Sequence, residues 1–466
     1  MIKSLRRAAG CICVLLMMNI VLLLDFFTKN ESFIFSRIFY GFFLWITIGF
    51  FYLITEILPC YEKGLKLRLQ VLSGGYELIV TSAFCLFAEI TGYIVFFCTT
   101  KLSPLAIIRR HTPDAQRGLL IMLAVNALMA GIFLFIHYMN GFLRTAFCSA
   151  QLGIVLRLLM LFFWWLLPFS LVLFVKWCAI VRREILYEKN RYLLDSARVE
   201  SSVCRTRFPV IMVHGVFFRD WQCLNYWGRI PHALKRNGAA VFYGRQQSSL
   251  SIADSAKELK QEILRVLEQT GAEKVNIVAH SKGGLDARYA ISRLGMAPYV
   301  ASLTTINTPH RGCRFADALL ASLPGWLICF TASRYNALFR KLGDNAPDFL
   351  AGVQDLTAAS CAVFNSRTPD MSNVFYQSVA SKMRSARSAG FPLNIGYLLC
   401  KKYEGDNDGL VSVSSAAWRN YMGVLCAGKK GISHGDMIDL THKNIKGFDV
   451  CEFYVLLFAG LKKRGF

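Results

Sequence analysis

Residues 274–284 read Lys-Val-Asn-Ile-Val-Ala-His-Ser-Lys-Gly-Gly, and this stretch decides the fold. Its first half is short, apolar and β-branched, the pattern of a buried strand. It stops abruptly at His280-Ser281-Lys282-Gly283-Gly284, and Leu285 to Leu294 then reads as a helix ending at Gly295. A strand that turns this sharply into a helix tolerates only small side chains two residues either side of the serine. Ala279 and Gly283 meet that demand. The turn is expected to lift the Ser281 hydroxyl out of the sheet, where a base can reach it.

The chain carries its own control. Ala386-Arg387-Ser388-Ala389-Gly390 also spells small-x-Ser-x-Gly, but the basic segment Ser381–Ser385 before it has no strand character. The motif has meaning only between a strand and a helix, so this second copy is rejected.

Composition divides the 466 residues in two. Five apolar stretches (about 10–27, 33–58, 77–98, 118–138 and 153–181) crowd the first 181 residues, each long enough to cross a hydrocarbon core of ~30 Å as a helix. The expected organisation is a multi-span transmembrane region over 1–181, a charged helical linker over 182–204 and a catalytic domain over 205–466. No small-residue cleavage site follows Leu24, so the first stretch reads as an uncleaved anchor. Lys3, Arg6 and Arg7 place the amino terminus in the cytoplasm. The basic loop with Lys101, Arg109, Arg110 and Arg117 then falls on the wrong side unless one stretch fails to cross. The stretch 77–98, which carries Glu77 and Glu89, is the expected irregular one. On that count the protein is integral to a cytoplasmic membrane, with its catalytic domain on the cytoplasmic face.

The net charge is +23, and 38 of the 53 basic residues and 23 of the 30 acidic ones follow residue 181. The basic residues are scattered and lack an aromatic platform, which excludes a recognisable nucleic-acid fold. An anionic membrane surface suits them equally with general solubility. Fifteen cysteines form no C-x-x-C pair and no His/Cys ligand spacing, so a zinc site is not expected.

After the linker, strands at 208–213, 239–243, 274–279 and 300–306 alternate with helical segments. This predicts a mostly parallel sheet covered on both faces by helices. A serine hydroxyl needs a base, and the base needs a carboxylate to orient it. In this fold class the acid and then the base follow the serine. Asp408, at the turn Tyr403 to Val411, is the leading acid, ahead of Asp406 and Glu404. His310, His434 and His442 are the candidate bases. His434 lies among small residues that leave it accessible, while His442 has a more helical setting. Two backbone N–H groups must meet the developing oxyanion. Lys282 supplies one, and Val216, after the turn His214-Gly215, supplies the other.

Together these residues resemble the bacterial true lipases, a triacylglycerol lipase family of the α/β-hydrolase fold. The resemblance covers about 205–450. It rests on Pro209–Gly215, on Tyr226-Trp227-Gly228-Arg229-Ile230-Pro231, on the serine turn, on Asn307–Gly312, on Asn407–Val411 and on His434–Asp439. It implies Asp408 and His434 as the acid and base. It implies a lipid ester as substrate and an amphipathic lid within 313–356, around Leu323–Leu342. Many members hold a structural calcium near the histidine loop. Asp436 matches one ligand position and no convincing second aspartate is present, so no cofactor is expected to be required. An acyltransferase or thioesterase would use the same three residues. A non-catalytic lipid-binding module would not need all three intact.

Overall fold

The computed structural model describes residues 2–28, 34–58, 65–100, 113–216, 225–247, 249–322, 324–341 and 347–466. The chain forms two compact units, Met1–Tyr192 and Leu193–Phe466.

The first unit is helical: α1 (Ile2–Met18), α2 (Ile20–Thr28), α3 (Ile34–Tyr52) running into a π-helical turn Leu53–Ile57, α4 (Leu67–Thr100), α5 (Asp114–Cys148), α6 (Ile154–Phe163) and α7 (Leu167–Arg198). Among the described residues, α4 and α5 are long and apolar enough to cross a membrane, and α1 with α2 qualifies as a pair bent by 73°. Large apolar side chains such as Phe87 and Phe135 stand exposed on them, which water would penalise and hydrocarbon would not. Arg7 pairs with Glu77 at 2.6 Å and Asn19 donates to Glu89 at 2.9 Å, so α1 and α4 run parallel. Tyr93 donates to the Leu123 carbonyl and Arg68 to that of Cys148, so α5 returns antiparallel.

The irregular segments are not where the sequence placed them. Residues 77–98 lie inside the unbroken α4. Glu77 and Glu89 are matched by Arg7 and Asn19, which removes the reason for the helix to break. The breaks fall instead at Asn19, whose side chain bonds the Leu15 carbonyl, and between α6 and α7. The basic loop that raised the question lies, except for Arg117, outside the described residues.

The second unit is built on six parallel strands: β1 (Val210–Val213), β2 (Val241–Tyr243), β3 (Val275–His280), β4 (Val300–Ile306), β5 (Phe375–Ser381) and β6 (Asn420–Leu425), in the order β2-β1-β3-β4-β5-β6. The helices are α8 (Ile230–Arg236), α9 (Ile252–Thr270), α10 (Gly283–Arg293), α11 (Arg314–Ser322), α12 (Gly325–Lys341), α13 (Phe349–Gln354), α14 (Ala358–Arg367), α15 (Leu393–Glu404), α16 (Val413–Ala416) and α17 (Val450–Lys463).

Strand period two sorts the core. Val210, Met212 and Val278 face one side and pack with Trp227, Ile230 and Leu234 near α8 and with Tyr454 and Phe458 of α17. Ile211, Val213, Ile277 and Ala279 face the other and pack with Leu259 and Ile263 of α9 and with Ala287 and Ile291 of α10. Each fully buried Leu or Ile contributes roughly 1.5–3 kcal/mol of transfer free energy. Helix α9 is bounded as its sequence suggests: the Ser251 hydroxyl accepts from the Asp254 N–H, and Gly271 closes it at φ 65°. The central position of β3, flanked by β1 and β4, carries Ser281 to the middle of the carboxyl edge of the sheet.

Candidate active site

Ser281 has φ 55°, a left-handed conformation that costs a non-glycine residue ~1–3 kcal/mol and is tolerated where the surroundings impose it. The surroundings here are tight. The Ser281 N–H donates to the Ile306 carbonyl at 3.0 Å, and a Cβ on Gly283 would run into the His214 carbonyl. A Cβ on Gly215 would sit 2.6 Å from the Ser281 Cβ, so the loop after β1 presses directly against the serine. That approach brings in Val216. Among the described residues, neither the Val216 N–H nor the Lys282 N–H has a hydrogen-bond acceptor. Both residues are buried.

The decoy serine lies in a 3-10 turn, Ala386–Ser388, separated from the end of β5 at Ser381 and from the start of α15 at Leu393, so it is not the tight strand-to-helix turn that the motif requires.

Asp408 and His434 meet. His434 Nδ1 lies 2.6 Å from Asp408 Oδ2, and the other carboxylate oxygen accepts from the N–H groups of Leu410 at 2.9 Å and Val411 at 2.8 Å. The His434 N–H donates to the Asp408 carbonyl at 2.8 Å, so the two loops are joined by backbone as well. With Nδ1–H given to the carboxylate, Nε2 keeps its lone pair. The His434 ring lies 4.4 Å, centroid to centroid, from the ring of His280, the residue preceding Ser281. The base is thereby held over the tip of β3.

The other candidates are elsewhere engaged. Asp406 is exposed and sits 2.8 Å from both Lys382 and Lys401, which pull its carboxyl down to about 2. Glu404 accepts from the Ser412 hydroxyl at 2.6 Å. His310 is buried, stacked on Trp418, with Nε2 2.9 Å from the Thr305 hydroxyl. Burial, and then Arg288, hold its pKa well below the ordinary value. The His442 N–H donates to the Asp439 carbonyl.

Three side chains near the site carried no role in the sequence reading. The Tyr226 hydroxyl accepts from the Gly215 N–H at 3.0 Å and lies 2.7 Å from His280 Nδ1. Lys282, only 1% exposed, reaches Ser255 Oγ at 2.9 Å and Asp286 Oδ1 at 2.7 Å. Burial pushes the Asp286 carboxyl up to about 7 against the pull of Lys282. The i,i+4 spacing of Lys282 and Asp286 was the available signal for this pair. Arg229 forms the third contact, with Asp439 at 2.7 Å.

The carboxylates beside the base do not fit a calcium cage. Asp436 Oδ2 accepts from both the N–H and the hydroxyl of Ser433, at 2.9 and 2.7 Å. Both oxygens of Asp439 are taken by Arg229. Among the described residues no cluster of three or more His, Cys, Asp or Glu side chains could hold a metal.

Residues 207–301 match the family model for lipase, class 2, a span that holds β1, β2, β3 and Ser281. The second unit resembles the triacylglycerol lipases. The match ends before Asp408 and His434, so those two rest on the lipase-like geometry alone. A triacylglycerol lipase of Pseudarthrobacter phenanthrenivorans is 35% identical over 177 residues, covering 35% of this chain and 54% of the relative. One from Burkholderia plantarii is 35% identical over the same length, covering 35% and 49%. Triacylglycerol lipase 2 of Saccharomyces cerevisiae is 28% identical over 273 residues, covering 52% and 75%. The chain thus spans about half the length of the first two relatives.

Proposed function

We propose that the second unit hydrolyses carboxylic esters of lipids, acylglycerols or phospholipids, through an acyl-enzyme on Ser281. The observations that support this reading are a strained serine, backbone N–H groups without acceptors among the described residues at Val216 and Lys282, and an Asp408–His434 pair whose imidazole lies 4.4 Å, centroid to centroid, from the ring of His280, the residue next to the serine. His434 Nε2 takes the Ser281 proton as Oγ attacks the ester carbonyl. The N–H groups of Val216 and Lys282 receive the tetrahedral oxyanion, each contributing ~10²–10³ in rate. The imidazolium then protonates the departing alcohol, and Asp408 stabilises the cation meanwhile. Water, deprotonated by His434, attacks the acyl-serine and releases the fatty acid.

The apolar helices of the first unit support membrane anchorage, and the basic start Lys3, Arg6 and Arg7 supports a cytoplasmic amino terminus, a face the catalytic unit shares only if the number of crossings is even. Helix α12 exposes Trp326 and Phe330, with Arg334 5.1 Å over the Phe330 ring. This supports a lipid-contacting cover; Leu323 and Leu342, the ends of the expected lid segment, lie outside the described residues.

The test is labelling by a fluorophosphonate together with p-nitrophenyl ester turnover by the full chain in detergent. Ser281→Ala should abolish both while the thermal unfolding transition remains. Turnover surviving in that variant removes Ser281 from the mechanism.

A further inference from the structure

The four residues ahead of α8 touch both halves of the site. Tyr226 holds the oxyanion loop through the Gly215 N–H. Three residues on, Arg229 holds the histidine loop. Its backbone N–H and its Nε both donate to Asp439 Oδ2, at 2.9 and 2.7 Å, and its Nη2 donates to Oδ1 at 2.8 Å. Its Nη1 donates to Asn444 Oδ1 at 2.8 Å. The Asp439 side chain is 1% exposed, so this is a desolvated, forked pair rather than a surface ion pair.

The local backbone is shaped around the contact. Asp439 adopts φ 57° where it ends the 3-10 turn Asp436–Ile438. Gly228 adopts φ 50°, and a Cβ on it would sit 2.6 Å from the Asp439 carbonyl oxygen. Between His434 and Asp439, Met437 and Ile438 are buried against Trp227 and Ile230, and Tyr454 donates to the Met437 carbonyl at 3.0 Å. The histidine loop is therefore tied at one end to Asp408 and at the other to Arg229.

We propose that Tyr226–Arg229 is a brace that sets the oxyanion loop and the histidine loop against one another, and that Arg229 is the positioning residue of His434. The inference rests on the reading of His434 as base. The guanidinium cross-links the loop to the entrance of α8, some two hundred residues away in sequence, as a bound divalent cation could, and it does so with protein donors alone. A misplacement of about 1 Å at the reacting atoms costs on the order of 10²-fold in rate, so a loosened loop has a kinetic signature.

The experiment compares full-length wild type with Arg229→Ala and Arg229→Lys in detergent. Hydrogen-exchange mass spectrometry follows the peptide spanning 433–442, and ester kinetics follow kcat and KM. Arg229→Ala should lose exchange protection in that peptide and about 10²-fold in kcat, with KM within a few-fold. Millimolar guanidinium should restore both, and Arg229→Lys should fall between. Unchanged protection in Arg229→Ala overturns the brace. Lost protection with wild-type kcat overturns the positioning role. A loss of kcat that guanidinium leaves uncorrected, although protection returns, overturns it too. Wild type that neither reacts with fluorophosphonate nor turns over ester, while the peptide still responds to Arg229→Ala, refutes the hydrolase reading and leaves the brace standing.

Discussion

Replacing Asp408 by Asn tests the orientation of the base without emptying its pocket. The outcome follows from the hydrogen bonds around the carboxylate. Asp408 Oδ1 accepts from two backbone N–H groups, those of Leu410 and Val411. An asparagine must leave its amide oxygen there, because turning its NH₂ toward two donors would break both bonds. The NH₂ then faces His434 Nδ1, where Oδ2 now lies at 2.6 Å. That nitrogen becomes the acceptor, the ring proton moves to Nε2, and Nε2 loses the lone pair that would take the Ser281 proton. The variant keeps its fold, its loop and its oxyanion donors but presents the wrong tautomer. The expected loss is ~10⁴-fold in kcat, the size seen when the acid of such a triad is made an amide. At 1.36 kcal/mol per decade this is about 5.5 kcal/mol of transition-state stabilisation. The assay is p-nitrophenyl butyrate hydrolysis by the full chain in detergent, with thermal unfolding measured on the same samples. Asp406→Asn is the matched control: two residues away, it loses only exposed lysine pairs, ~0–1 kcal/mol, and should retain wild-type kcat. An Asp408→Asn enzyme within tenfold of wild type, or an Asp406→Asn enzyme as weak as it, refutes the assignment.

Two further outcomes follow from the side chains around the serine. Tyr226→Phe removes the acceptor of the buried Gly215 N–H, which should destabilise by about 1–3 kcal/mol. It should also lower kcat about tenfold, less than the ~10²–10³ of a lost oxyanion donor; unchanged kcat and an unchanged melting temperature would exclude the contact. Lys282→Met leaves the buried Asp286 carboxyl without its cation, at roughly 3–5 kcal/mol. The folded carboxyl titrates at about 7, above its unfolded value, so in wild type stability is lost as pH rises from the unfolded value to about 7 and levels off beyond it. Without the lysine the carboxyl is held higher still, so the variant's melting temperature should go on falling above about pH 7, where wild type has levelled, and Lys282→Met/Asp286→Leu should remove that excess. Parallel curves for wild type and Lys282→Met would argue against the pair.

The sequence exposed the serine turn because its demands are local: a β-branched run, then small residues at Ala279 and Gly283 that no other side chain could replace. It left the acid and base open, since Asp408 and His434 sit on loops that carry no period, and only resemblance separated them from Asp406 and His442. Strands β5 and β6 were missed for a related reason. β5 holds Gln377 and Ser378 within the sheet, made tolerable by bonds to Thr304 and to the Trp418 carbonyl that no local pattern announces. β6 is an exposed edge, and Gly423 interrupts the side chains of its apolar run Tyr421–Leu425. Arg229 and Asp439 lie 210 residues apart, and a lone arginine between Trp227-Gly228 and Ile230-Pro231 has no signature of its destination. In the first unit, charge within an apolar stretch read as disruption. The partners Arg7 and Asn19, on another helix, made Glu77 and Glu89 compatible with a regular one.

The tilted contact between the His280 and His434 rings has one more consequence. Two imidazoles this close would ordinarily compete for a proton, and a charged neighbour would oppose the cation that forms during each acyl transfer. Burial, with His434 beside it, holds the pKa of His280 well below its ordinary value, and the phenol of Tyr226 lies 2.7 Å from its Nδ1. In the proposed mechanism His280 would be an inert wall: aromatic, enclosed, and unable to divert the proton in transit between serine and leaving group.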